Sequence, residues 1–400
     1  MLEPPVAKEH RMLRIGMVCP YSLTIPGGVQ AQVLGLARSL RAQGHEVRVL
    51  GPCDGPPPDS FVTPLGNSLP TAANGSVAPL APDVSASLRT ARALNDEAFD
   101  VIHVHEPFAP GPSLTAVMLK LAPIVATFHS AGYTSSYRMW GKTMKLIAPR
   151  IDIRTAVSKD ALELVQQYLG GDYEVLFNGI EVTRYRPSLD KDTNQKRENA
   201  IFFIGRHEPR KGLAVLLEAM KKLPADVVLW VGSDGPETES LQEQYKGDSR
   251  IKWLGRISDE EKIERLHRAG VFCAPSLHGE SFGVVLLEAM AAHVPVVASN
   301  LDGYKNVATH DVNALLIEPG DVDALASALA RVLVDSRLRE RLVDKGSSHA
   351  MSYSMDSLAV RYVEIYERLL QMDIDNIAKF AMPRPFRRLN KRLLRRSRVD

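Results

Sequence analysis

Short apolar runs rich in β-branched residues alternate along the chain with stretches whose apolar positions recur at helical spacing. Leu13–Cys19, Val29–Ala42 and Val47–Leu50 set the order strand, helix, strand. Further strand runs follow at Val101–Val104, Ile124–Phe128, Ile153–Val157 and Val175–Phe177. Each is too apolar for a sheet with one wetted face, which predicts parallel strands covered by helices on both sides. Residues 184–199, RYRPSLDKDTNQKREN, carry no hydrophobic period and read as an exposed connection. The grammar then restarts with Ala200–Ile204, Gly212–Lys222, Val227–Val231, Glu237–Lys246, Ile251–Trp253, Asp259–Ala269, Val271–Ala274, Val284–Ala292 and Val296–Ala298. Two long helical patterns close it, Val322–Val334 and Ser357–Met372. The pattern predicts an α/β protein with doubly wound domains over 13–183 and 200–350, a linker at 184–199, a C-terminal helix within 351–376 and a tail at 383–400. Ligands of such sheets bind just beyond the strand C-termini, so a cleft between the domains is the expected site.

Composition narrows this little, and charge changes it in one place. A chain of 400 residues, 45% hydrophobic and 24% charged, is ordinary for globular proteins and excludes wholesale disorder or a fibrous repeat. Its 49 Lys and Arg nearly offset 47 Asp and Glu, so no nucleic-acid partner is expected. Eight of the cations (Arg384, Arg387, Arg388, Lys391, Arg392, Arg395, Arg396, Arg398) crowd into the last 17 positions, leaving the remainder at net −5. Phe386, Leu389, Leu393 and Leu394 recur among them at helical spacing, which reads as a basic amphipathic helix for an anionic membrane surface. The alternatives for this tail are a solvated segment or a nucleic-acid contact. Cys19, Cys53 and Cys273 are far apart with no metal-site spacing, which suits a reducing cytoplasm. No signal peptide or membrane-spanning run is read, and Asn74-Gly75-Ser76 reads as a turn.

Candidate chemistry follows the strands. Pro26-Gly27-Gly28-Val29-Gln30 opens a helix, where amide groups could approach a phosphate. No acidic residue ends the second strand, which argues against a nicotinamide dinucleotide. His129 ends a strand and is followed by Ser130-Ala131-Gly132; it could be structural or could meet a ligand. His103 and His105 share one face of their strand, with His103 read as packing and Glu106 as a loop cap. Gly205-Arg206 and Pro209-Arg210-Lys211-Gly212 bring cations to a helix start, which the helix dipole disfavours unless an anion binds. Glu280 lies in a loop and Glu288 in a very apolar helix, where a carboxylate needs hydrogen-bonding partners such as ligand hydroxyls, or a cation from the core. Ser281-Phe282-Gly283 add free amide groups ahead of that helix.

Taken together, Gly27-Gly28, Gly205-Arg206, Arg210-Lys211-Gly212 and the Glu280/Glu288 pair resemble the retaining GT-B glycosyltransferases of family four, over residues 13–372. Within it, the segments IGMVCPYS, PGGVQ, NGSVA, IHVHEP, IVATFH, EPRKG, APSLHGESFG and EAMAA are most similar to the mannosyltransferases that move mannose from GDP-mannose to the inositol of phosphatidylinositol. The resemblance implies a GT-B fold: two Rossmann-like doubly wound domains facing a central cleft, with the C-terminal helix crossing back to the first. It implies that Arg206 and Lys211 hold the donor diphosphate with a backbone contact from Gly28, and that Glu280 holds the mannose hydroxyls. Ser281, Phe282 and Gly283 would add backbone contacts, Glu288 would take the ribose, and His129 would lie against the reacting sugar. Tyr21, Gly28 and Gln30 would line the acceptor inositol. His129, Arg206, Lys211 and Glu280 would then be the catalytic set, with no metal or cofactor required beyond the donor substrate.

The chain departs from that pattern on the acceptor side. The family's basic helix for anionic lipid corresponds to Asp83–Asp96, which offers only Arg89 and Arg92, and a family lysine after the histidine gives way to Gly132-Tyr133-Thr134. Membrane attraction is therefore assigned to the tail, with Arg387, Arg388, Lys391, Arg392, Arg395 and Arg396 facing lipid at the cytoplasmic side of the membrane. A monomer or weak oligomer is expected. The alternatives are a transferase using a UDP-sugar or another nucleotide sugar with a soluble or different lipid acceptor, and a non-catalytic nucleotide-sugar-binding protein.

Overall fold

The computed structural model describes residues 11–73, 76–130, 135–187, 197–280 and 282–371. Its contacts divide the chain into two units, one holding the residues up to Leu176 and from Leu358 onward, the other Phe177–Ser357.

The first unit is built on a parallel sheet of β1 (Arg14–Val18), β2 (Glu46–Gly51), β3 (Val62–Pro64), β6 (Val101–His105), β7 (Ile124–Phe128), β8 (Ile153–Ala156) and β9 (Glu174–Val175), in the order β3-β2-β1-β6-β7-β8-β9. Every residue of β6 and β7 is buried, as expected of strands covered on both faces. A hairpin of β4 (Leu69–Ala73) and β5 (Ser76–Leu80) stands apart from this sheet. It was not legible as strand, because Pro70 and Pro79 interrupt an already weak alternation.

The second unit carries β10 (Ala200–Ile204), β11 (Val228–Gly232), β12 (Ile251–Gly255), β13 (Val271–Ala274), β14 (Val296–Ser299) and β15 (Leu315–Ile317), ordered β12-β11-β10-β13-β14-β15 and parallel throughout. The two doubly wound sheets are thus present. In each, strand order reverses beside the first strand, between β1 and β6 and between β10 and β13. Loops leaving these strands diverge and open a crevice at the sheet's carboxyl edge. The motifs singled out in the sequence leave the sheets here: Tyr21 to Gly28 after β1, Glu106 after β6, Arg206 to Gly212 after β10, and Ser276 to Gly283 after β13.

The contact boundary falls at Leu176/Phe177 rather than at 183/184. Ile180, Val182 and Tyr185 are buried in the core of the second unit, and Phe177 packs against it, so apolar residues read as the end of the first domain belong to the next. Much of the expected linker, residues 188–196, lies outside the described residues, as does the Asn74-Gly75 turn. A helix at Ser336–Ser352, unread in the sequence, packs on Val284–Ala291. The C-terminal helix, Met355–Gln371, starts in the second unit and belongs to the first from Leu358. Its Tyr362 and Tyr366 are buried against β6 and β7: Tyr366 Oη lies 2.8 Å from His103 Nδ1, and Tyr362 Oη 2.9 Å from Thr127 Oγ1. Among the described residues no helix is long and apolar enough to cross a membrane.

Candidate active site

In the first unit, the helix Gly28–Ala42 starts from an extended Gly27 with no side-chain cap, so its first amide groups are left for another partner. A Cβ added at Gly28 would meet nothing within 4 Å. Gln30 folds back instead, its Nε2 donating to the carbonyls of Ser22 (3.3 Å) and Ile25 (3.2 Å). Its amide nitrogen therefore braces the loop after β1, a use the sequence did not suggest beside the expected acceptor contact. Tyr21 is half-buried, and burial together with the nearby Glu106 carboxylate pushes its phenol up, so it is a neutral hydroxyl.

At the ends of β6 and β7 the packing histidine and the candidate ligand histidine join one network. His103 Nε2 lies 2.7 Å from Thr127 Oγ1, and the rings of His103 and His105 are 4.3 Å apart. His105 Nδ1 lies 2.9 Å from His129 Nε2, a contact absent from the sequence reading. Glu106, in a left-handed conformation (φ 46°), accepts from the His129 amide (2.8 Å), the Ser130 amide (2.6 Å) and the Ser130 hydroxyl (2.9 Å). It is the loop cap expected, and it fixes the backbone on which His129 stands. Burial outweighs these donors and raises its carboxyl pKa.

Burial also brings His129 down to about 3, so both imidazoles of the His105–His129 contact are neutral and share one proton across it. Were that proton on His129 Nε2, His105 would bear its own on Nε2, a buried atom with no partner. An orphaned buried N–H costs more than an unused lone pair. The proton therefore sits on His105 Nδ1, and His129 carries its own on Nδ1. Among the described residues Nδ1 of His129 makes no hydrogen bond, which leaves it as the donor this ring can offer.

The second unit supplies charge. After β10, a single turn (Pro209–Lys211) ends at Gly212, whose φ of 69° is the left-handed region. A Cβ there would come within 1.9 Å of the Pro275 carbonyl, so only glycine lets the cationic turn lie against the loop after β13. Lys211 Nζ reaches Glu280 at 2.6 Å, with Arg210 at 3.7 Å from the same carboxylate. Arg206 and Arg210 meet Glu208 at 3.2 and 2.9 Å. Ser276 Oγ donates to Glu280 (2.8 Å) and lies 3.0 Å from Tyr304 Oη. Three cations and two carboxylates are thereby held at one rim. Polydentate anions are the natural ligands of such a rim, arginine binding as a planar fork and lysine as a point charge.

The helix Val284–Ala291 starts from Gly283 (φ 93°) with no side-chain cap, and a Cβ at Gly283 would lie 2.9 Å from the Tyr304 ring. Phe282 is buried, stacked on Phe177 at 5.4 Å, so only its backbone can serve a ligand. Ser281 lies outside the described residues. Glu288 takes the second of the partners left open for it, a cation from within the protein, together with a phenol: its Oε1 meets Tyr185 Oη at 2.7 Å and Lys262 Nζ at 3.2 Å. Lys262 and Tyr185 were missed. Lys262 follows the three acids Asp259, Glu260 and Glu261 that fill the first turn of the helix after β12, the setting of an ordinary surface cation, so nothing in the sequence marked it. Among the described residues no group of three or more His, Cys, Asp or Glu is placed to hold a metal.

Residues 26–184 match the family described as Glycosyltransferase Family 4, and residues 186–349 the Glycosyl transferases group 1. The chain is 39% identical to the phosphatidyl-myo-inositol mannosyltransferase of Mycobacterium leprae, over 89% of this chain and 96% of that one. It is 34% identical to the protein of the same name from Propionibacterium freudenreichii subsp. shermanii, over 88% and 94%. Among solved structures, Anabaena HepE in complex with UDP and glucose superposes with a TM-score of 0.70 at 19% identity, covering 89% of this chain and all of that one. That last likeness is one of fold.

Proposed function

The chain belongs to the glycosyltransferases of family four, and from that membership we propose that it moves mannose from GDP-mannose to the inositol of phosphatidylinositol, with retention, at the cytoplasmic face of the membrane. The observation that carries this reading is identity of 34–39%, spread over nearly the whole chain, to proteins named for that acceptor and sugar. The local geometry supports it. A diphosphate arriving at the rim would draw Lys211, Arg206 and Arg210 from their carboxylates, freeing Glu280 to accept from mannose hydroxyls.

In the proposed reaction the bond between the anomeric carbon and the diphosphate oxygen breaks, while one forms to the inositol oxygen on the same face. The inositol proton passes to the departing phosphate, which leaves as GDP. Negative charge on the diphosphate grows as its bond to the sugar breaks, so the cations stabilise the transition state more than the bound donor. His129 would donate from Nδ1 to a sugar hydroxyl, the open amide end at Gly28 would meet phosphate, and Phe282 and Gly283 would offer backbone amides. Glu288, held by Tyr185 and Lys262, would accept from the ribose with its second oxygen. Tyr21 and Gln30 would border the inositol. No metal or cofactor takes part.

Labelled GDP-mannose incubated with phosphatidylinositol vesicles tests the reading: label should enter the lipid phase. Label that stays out of lipid, with transfer from a UDP-sugar to a soluble acceptor, would replace it by the alternative transferase. Lys211→Ala and Glu280→Ala should each lower kcat by about 100-fold or more while the far-UV spectrum is unchanged. That loss would exclude a non-catalytic nucleotide-sugar-binding protein, and full activity in both would refute the roles given to Lys211 and Glu280. A product with inverted anomeric configuration by NMR would refute retention. The basic tail, Arg387 to Arg396, lies outside the described residues. Its proposed membrane role predicts weaker co-sedimentation with anionic vesicles for a chain ending at Met382.

A further inference from the structure

One helix of the first unit shows two faces of incompatible character. Ser135–Ile147, SSYRMWGKTMKLI, contains no acidic residue. Tyr137, Gly141 and Met144 are buried, and Ala148, just past its end, continues that side into the core with Leu164 and Val165. Gly141 allows a close approach, since a Cβ there would lie 3.2 Å from the Tyr168 ring. These positions, three or four apart, are the side that docks the helix.

The opposite side, though it includes the exposed Thr143, is not the uniformly polar face of a solvated helix. Met139 is 73% exposed, Leu146 81% and Trp140 56%. At 3.6 residues per turn, Met139 and Leu146 fall on the pole away from the core, a further two turns apart. Trp140 takes one flank. Arg138, Lys142 and Lys145, all exposed, line the other. Large apolar side chains set in water at the outer pole, with an indole on one side and cations on the other, match a helix lying in the plane of a bilayer interface. The charge selects the occupant: three cations and no acid on this helix complement anionic headgroups.

We propose that the outer face of Ser135–Ile147 docks on an anionic phospholipid bilayer, with Met139, Trp140 and Leu146 entering the headgroup boundary and Arg138, Lys142 and Lys145 meeting lipid phosphates. The proposal rests on the reading of an anionic lipid acceptor, and it goes further by giving the lipid surface a second contact besides the basic tail. The helix begins shortly after the turn that holds His129. Docking it would bring a headgroup of the same surface to that turn without first extracting the lipid.

The protein has three tryptophans, and Trp140 is the exposed one: Trp230 is buried and Trp253 half-buried. This makes the indole a reporter. The full chain is mixed with phosphatidylcholine vesicles containing phosphatidylserine and brominated phosphatidylcholine, with no phosphatidylinositol present. Tryptophan emission should shift to the blue and be quenched by the brominated chains, and both effects should vanish in Trp140→Phe. Lys142→Glu and Lys145→Glu should each lower partition onto the vesicles about fivefold or more. Equal quenching in wild type and Trp140→Phe would overturn the proposal. So would charge reversal that leaves partition unchanged, the result expected if this face serves an acidic protein. Transfer to phosphatidylinositol in detergent micelles is measured beside these, so failure of the docking face is separable from failure of the proposed reaction.

Discussion

Single residues set the chemistry here through the company they keep. His129 was legible as a candidate because it ends a strand, but its proton position was not, since that depends on His105 across a 2.9 Å contact between strands. The contact has a testable consequence. His105→Asn offers an amide N–H where Nδ1–H stood and should keep His129 as the Nδ1–H tautomer, with kcat within a few-fold of wild type. His105→Asp can only accept, so it should invert the tautomer, raise the pKa of His129 and lower kcat about tenfold or more. Nitrogen NMR of the imidazoles reads the tautomer without substrate, and an unchanged His129 in His105→Asp would refute the assignment. The same burial makes the fold acid-labile. His103 is held down to about 3 and His105 well below its ordinary value, chiefly by burial, so both stay neutral when folded and charge on unfolding. With folded values below unfolded ones, the unfolded chain binds more protons in between. Their contribution is full above about pH 6.5 and falls toward pH 3, by about 1.4 kcal/mol per pH unit for each ring. Urea titrations should therefore show the first unit less stable at pH 5 than at pH 7, by about 2 kcal/mol for each imidazole that stays neutral when folded, and a flat profile would count against neutral burial.

Elements were legible where burial imposes a period. Buried parallel strands such as Ile124–Phe128 read as unbroken apolar runs, and the glycines and cations that follow them marked the loops of the site. Ser336–Ser352 was not legible because its buried residues, Leu338, Leu342, Gly346 and Ala350, form a stripe one residue wide ending in small side chains. Nor were the partners of Glu288, since Tyr185 and Lys262 reach it from distant elements and pair spacing carries no trace of that. Arg197 is a similar case. It lies in a stretch that read as linker, yet its guanidinium donates to the carbonyls of Leu266, Ala269, Ala292 and His293, at 3.4, 2.9, 3.4 and 2.8 Å. These are the C-terminal ends of two helices, Asp259–Arg268 and Val284–Ala291, where a cation meets the negative end of each dipole. Arg197→Met should leave those carbonyls without a donor and lower the stability of the second unit by about 3 kcal/mol in denaturant unfolding. A loss under about 0.5 kcal/mol would show that water replaces it.

At the scale of the whole chain, the last described helix completes the first unit. Tyr362 and Tyr366 complete the network of His103, Thr127 and Thr155 from far along the chain, with Tyr362 Oη 3.3 Å from Thr155 Oγ1. A chain ending at Ser352 should lose amide-exchange protection across Val101–His105 and Ile124–Phe128 while keeping it across Ala200–Ile204. Equal protection in both sheets would show the first unit to be self-sufficient. The order of synthesis gives this connection a further meaning. On the ribosome the first sheet emerges early, but the helix that closes it arrives only after Phe177–Ser357 has been made. The second unit can reach its native state as soon as its own residues are clear, whereas the first must wait for the tyrosine hydroxyls that complete His103 and Thr127. The half of the protein that is translated first is the half that finishes folding last.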